Sequence, residues 1–257
     1  MRRILSLIVV IGFNMQAAIV HKTVEYKEGD TILEGLSVYD DSATGKRPAV
    51  LVVHQWKGLS DYEKKRSEML AKLGYNVFAV DIYGKGIRPS DAKDAAAEAA
   101  KYKDNRALLR ARVQAGLKVL REHNLTDTRR IAAIGYCFGG TTVLELARSG
   151  ADVAGVVSFH GGLSTPNPGD AEKIRCKVLA QHGADDPFVP PKEVEGFEQE
   201  MREAGADWQL IAYGGAVHSF TDWEAGSDNS KGAAYNEKAD HRSWEAMKQF
   251  FNELFKS

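Results

Sequence analysis

The stretch Gly135-Tyr136-Cys137-Phe138-Gly139-Gly140 decides how this chain is read. It follows an apolar run, Ile131-Ala132-Ala133-Ile134, and precedes a helical pattern from Thr141 to Arg148. A strand, a tight Gly-X-nucleophile-X-Gly turn and a helix, in that order, hold the central side chain exposed on a strained backbone. The flanking glycines remove Cβ atoms that would clash. The helix N-terminus behind the turn favours negative charge, which lowers a thiol pKa and stabilises an oxyanion. The central residue here is Cys137. Its competing reading is a small buried hydrophobe in a glycine-rich turn; the strand before it and the helix after it favour a nucleophile.

Outward from this turn the pattern alternates. His21 to Tyr26 and Thr31 to Tyr39 read as a β-hairpin around Lys27-Glu28-Gly29-Asp30. Ala49 to Val53, Asn76 to Val80, Ile131 to Ile134, Val153 to Phe159, Lys177 to Gln181 and Trp208 to Tyr213 read as strands, several of them continuously apolar as double-sided burial requires. Between them, Tyr62 to Leu73, Asp91 to Lys103 (one helix or two short ones), Arg106 to His123, Lys192 to Ala204 and Glu237 to Phe255 read as helices. The expected class is α/β: an α/β-hydrolase fold with a mostly parallel central sheet, helices on both faces and an N-terminal β-hairpin. In such sheets the site lies beyond the carboxyl ends of the strands. Cys137, Asp186 and His218 all fall there, in the order nucleophile, acid, histidine.

The 257 residues, 44% hydrophobic and 27% charged, suit one large domain with an ample core. A formal net charge of −1 gives no sign of a nucleic-acid or anionic-membrane partner. Two cysteines make no disulfide framework, and Cys176 reads as a structural thiol. The N-terminus is basic at Met1-Arg2-Arg3, apolar from Ile4 to Phe13 and small or polar through Ala18. That order reads as a signal peptide over residues 1–18, leaving 19–257 as a single domain in a periplasm or outside the cell. The competing readings are a buried strand or an uncleaved anchor. His54, His160, His182 and Asp81 sit at strand ends without metal-ligand spacing, so the histidines are read as bonding loop carbonyls; neither metal nor cofactor is expected.

Four stretches together resemble the dienelactone hydrolase family: His54-Gln55-Trp56-Lys57-Gly58-Leu59, Asp81-Ile82-Tyr83-Gly84, the Cys137 turn, and Gly183-Ala184-Asp185-Asp186-Pro187-Phe188-Val189-Pro190 with His218-Ser219-Phe220. The resemblance implies a Cys–His–Asp triad of Cys137, His218 and Asp186. The residues lead to the same assignment, because a thiol needs a nearby base and the base needs a carboxylate to fix its tautomer. Asp185 competes with Asp186 for the last role. The oxyanion hole is expected from the backbone N–H groups of Phe138 and Trp56. Gln55, Lys85, Arg88 and Tyr136 complete the expected substrate site.

Gln55 departs from the family, which often carries Glu there. Asp222 departs too: it stands four residues beyond His218, where the founding type carries an Arg that meets a substrate carboxylate. The implied activity is hydrolysis of esters, lactones or thioesters through an acyl-thioenzyme, by a monomer or small homo-oligomer acting on a small molecule. Neutral substrates are expected to be preferred. A catalytically silent binding protein and a peptidase on the same fold are the alternatives.

Overall fold

The computed structural model describes residues 18–256, so the signal-peptide expectation falls almost wholly outside the described residues. An eight-stranded sheet has the order β1-β2-β4-β3-β5-β6-β7-β8. The strands are β1 (Ile19–Glu28), β2 (Thr31–Asp40), β3 (Arg47–Val53), β4 (Asn76–Val80), β5 (Thr126–Tyr136), β6 (Gly155–Phe159), β7 (Lys177–Gly183) and β8 (Trp208–Tyr213). The hairpin β1–β2 is antiparallel and β2 pairs antiparallel with β4. Every pairing from β4 to β8 is parallel.

The helices are α1 (Asp61–Lys72), α2 (Ala92–Lys103), α3 (Arg106–Glu122), α4 (Phe138–Arg148), α5 (Pro191–Glu203) and α6 (Glu237–Phe255). The period of two along a strand divides the core into two layers. Ala49, Leu51 and Val53 face a layer closed by α2, α3, α4 and α5, through Tyr102, Val113, Val143 and Met201. Val50 and Val52 face the other, closed by α1 and α6 through Leu70, Met247 and Phe251. Helices on both faces are what a buried parallel sheet requires.

Several boundaries differ from the sequence expectation by two residues or more, and the starts of β5 and β6 show why. β5 begins at Thr126, five residues before its apolar run. Thr126 pairs with Arg47, after which the register shifts before Ala49 meets Ile131. The polar lead-in therefore carries no apolar signal. β6 begins at Gly155, where a Cβ would lie 2.6 Å from a Leu254 methyl, so the strand starts where α6 approaches it. Cys176 is buried just before β7, and both cysteines are free. Among the described residues, no helix is long and apolar enough to cross a membrane, and no cluster of three His, Cys, Asp or Glu could hold a metal ion.

Candidate active site

The turn between β5 and α4 is tight because its glycines permit it. A Cβ on Gly135 would lie 2.0 Å from the Gly139 carbonyl oxygen, and one on Gly139 would lie 2.2 Å from that of Val53. The close approach holds α4 against the sheet and leaves Cys137 at φ 53°. Among the described residues, three non-glycine residues have positive φ: Cys137, His160 and Ser219. All three lie at this site, and such strain persists only where the surroundings over-determine it.

His218, in the loop after β8, places Nε2 3.1 Å from Cys137 Sγ and Nδ1 2.7 Å from Asp186 Oδ2. The Asp186 carboxylate is buried and its other oxygen accepts the Phe188 N–H at 2.8 Å. Asp185 turns the other way: it is exposed and accepts the Gly215 N–H at 3.1 Å, which makes it a loop cap. The electrostatics follow from the contacts. Burial raises the Cys137 thiol pKa, but the adjacent His218 charge and hydrogen bond outweigh it and the net shift is downward. Lys103, exposed at the end of α2, adds to the lowering, and the Phe138 N–H favours the thiolate. Burial lowers the His218 pKa, but the sulfur and the Asp186 carboxylate outweigh it and the net shift is upward. Both shifts run in the direction of negative charge on the sulfur and positive charge on the imidazole.

The loop after β3 supplies the facing wall. The Trp56 N–H has no partner among the described residues, while its carbonyl accepts the Tyr83 hydroxyl at 2.9 Å. The Gln55 N–H donates to Glu63 Oε1 at 3.0 Å. Glu63 is wholly buried, closes the capping box of α1 with Ser60, and so ties this loop to the helix N-terminus. Sequence reasoning did not single out Glu63, although Ser60-x-x-Glu63 is a legible capping signal. It also passed over Phe188, 59% exposed, whose ring lies 5.5 Å edge-on to that of His218.

Three expected substrate contacts are buried or engaged by other groups. Tyr136 is fully buried on the α1–α6 face of the sheet, stacked on Phe159 and edge-on to Tyr62, because the residue before the nucleophile points to the opposite side of the strand. Lys85 pairs with Glu25 and Glu34 on the hairpin. Arg88 is spent on the carbonyls of Leu59, Gly84 and Ile87 and on buried Asp81. Gln55 does lie at the site, with Nε2 donating to Asp222 Oδ2 at 3.0 Å. His54 bonds a carbonyl, at 2.6 Å to that of Gln55, and also accepts the Ile82 N–H. Burial drops its pKa to about 4. The ring nitrogens of His160 bond no carbonyl: Nδ1 accepts the Cys137 N–H and Nε2 meets Thr221 Oγ1.

The dienelactone hydrolase family model matches residues 33–255. A dienelactone hydrolase-like promiscuous phosphotriesterase from metagenomic libraries, a solved structure, is 42% identical with a TM-score of 0.88, covering 92% of this chain and 99% of that one. A Synechocystis protein named "Putative carboxymethylenebutenolidase" is 27% identical over 81% of this chain and 87% of its own length. The Caenorhabditis elegans protein K02A2.1 is 35% identical over 59% of this chain and 98% of its own. Fold, turn and family match agree, and the chain belongs to the dienelactone hydrolase family.

Proposed function

We propose that this protein hydrolyses neutral esters or lactones through an acyl-thioenzyme on Cys137. The observation that carries this reading is the unbroken contact from Asp186 through His218 to the Cys137 sulfur, 2.7 and 3.1 Å long, at a strained elbow. The thiolate attacks the carbonyl carbon. The developing oxyanion is held by the Phe138 and Trp56 N–H groups, which cost little reorganisation because both are fixed by the backbone. The His218 imidazolium then protonates the leaving alkoxide. Acylation removes the sulfur's negative charge, one of the causes that raise the His218 pKa. Neutral His218 becomes able to take a proton from water, which attacks the thioester carbonyl; the C–S bond then breaks, the acid leaves and the Cys137 thiolate is restored beside the imidazolium. Asp186 holds Nδ1–H throughout.

Substrate charge follows from the mouth of the site. Arg88 and Lys85 are engaged, and Asp222 occupies the position where the founding type carries Arg, so no bidentate fork is offered to a carboxylate. A second substrate class, neutral phosphate triesters, is favoured by the same charge pattern and by the likeness to the promiscuous phosphotriesterase. The test is turnover of p-nitrophenyl acetate. Cys137→Ala is expected to remove it while leaving the circular dichroism spectrum and Tm near those of the wild type. Wild-type-like turnover in that variant contradicts the reading.

A further inference from the structure

His160 follows β6 at φ 40° and is buried. Its Nδ1 lies 3.2 Å from the Cys137 backbone nitrogen, whose N–H is shared with the Phe159 carbonyl at 3.0 Å. A backbone N–H can only donate, so Nδ1 accepts and the ring proton sits on Nε2. Nε2–H then donates to Thr221 Oγ1 at 2.7 Å. Thr221 lies three residues beyond His218 and is fully buried. Its Oγ1 is 2.6 Å from the Tyr62 hydroxyl, which accepts the Arg66 Nε–H at 3.1 Å. Arg66 also donates to the Thr221 carbonyl at 2.8 Å and to Asp240 of α6. The His160 ring stands edge-on to that of His218, 5.3 Å between centroids.

One small ring thus joins the amide of the candidate nucleophile to the loop of the candidate base. The Cys137 end and the ring's own residue are strained, and the other end lies two residues from a third strained position: Cys137, His160 and Ser219 all have positive φ. A strained backbone relaxes unless something holds it, and the pair needs its sulfur and imidazole held at contact distance. We propose that His160 is a positioning residue. Neutral and protonated on Nε2, it bridges Cys137 to Thr221 and so fixes the alignment of Cys137 with His218. Arg66, Tyr62 and Asp240 anchor the far end of the bridge, so α1 and α6 take part in setting the geometry from behind the sheet.

The inference rests on the hydrolase reading for its catalytic consequence, but not for its structural one. The groups facing His160 are Cys137 and His218 at the site, Tyr62 and Arg66 of α1 and Tyr136 of β5. The bridge is opened at each end in turn. Thr221→Val removes the hydroxyl at nearly constant shape, and Thr221→Ser restores it. His160→Asn tolerates positive φ and keeps an acceptor near the Cys137 N–H, but cannot reach Thr221. Two readouts are taken on folded protein: the pH dependence of iodoacetamide labelling of Cys137, and kcat and KM for p-nitrophenyl acetate.

The labelling curve is expected to move toward the ordinary thiol range by about one pH unit in Thr221→Val and His160→Asn. Their kcat should fall about tenfold or more with KM little changed. Thr221→Ser should match the wild type in both. A role in folding alone would lower Tm and leave the labelling midpoint unmoved, and that result overturns the proposal, as does a wild-type midpoint in Thr221→Val alone. If His160→Asn does not fold, the two Thr221 variants decide. Labelling does not require turnover, so a wild type that labels rapidly yet hydrolyses no ester defeats the hydrolase reading and leaves this one standing.

Discussion

Asp185 and Asp186 are neighbours that the loop after β7 turns in opposite directions, one onto the Gly215 amide and one onto His218. The chemistry should divide the same way. Asp186→Asn leaves a side chain that can present N–H to Nδ1 and invert the tautomer, so kcat should fall by about 10³-fold or more. Asp185→Asn loses only a loop cap and should retain most activity; the opposite ranking in steady-state kinetics would reassign the acid. The pH dependence has a defined sign. Because the Cys137 pKa is lowered, thiolate labelling should rise at a pH below the usual thiol range. Because the His218 pKa is raised, the imidazolium that causes this persists above pH 6.5. His218→Ala removes the cation, and the labelling curve should move up to the range of an ordinary or raised thiol. An unmoved curve in that variant would show that the pair does not exist. Glycine spacing made Cys137 legible from sequence alone. His218 and Asp186 were reached from their strand-end positions and chain order as well as from the family resemblance, but Asp185 stayed a competitor, because it differs from Asp186 only in which way its backbone turns.

At the scale of the element, α1 does more than cover the sheet. Its capping box uses one oxygen pair for two tasks: Glu63 Oε2 accepts the Ser60 N–H and hydroxyl, and Oε1 accepts the Gln55 N–H that precedes Trp56. A carboxylate can serve both sides, whereas an amide has only one oxygen. Glu63→Gln should therefore displace the Trp56 N–H and lower kcat by about ten- to a hundredfold, since small misplacements at a reacting centre are costly. Ser60→Ala should cost about 1 kcal/mol of stability and little activity, which chemical denaturation and kinetics on the same sample would separate. Equal kcat in Glu63→Gln and wild type would free the oxyanion loop from α1. The helix itself was legible in the sequence over Tyr62 to Leu73, within a residue of its observed span. Its second task was not, because the partner amide lies eight residues back in a loop with no periodic signal. The reading of Tyr136 failed for a similar reason: adjacency to Cys137 in sequence means the opposite face of a strand.

Over the whole molecule, strand alternation and the continuous apolar runs made the sheet and its two helical layers readable, because burial on both faces leaves few other patterns. Which charges reach the mouth was not readable, since the engagement of Lys85 with β1 and β2 and of Arg88 with loop carbonyls depends on tertiary approach. With those cations engaged and Asp222 at the site, a neutral short-chain ester should exceed a carboxylated dienelactone in kcat/KM. A preference for the anionic lactone by about tenfold, or about 1.4 kcal/mol of transition-state binding, would contradict this. The central claim is that Cys137 carries the acyl group. Its most direct test uses p-nitrophenyl trimethylacetate, whose hindered acyl group slows deacylation, with acid quenching and peptide mass spectrometry. We expect a trimethylacetyl increment on the peptide containing Cys137, equal in amount to the burst of p-nitrophenolate. Steady turnover with Cys137 unmodified, or an equal increment on any other residue, would contradict it.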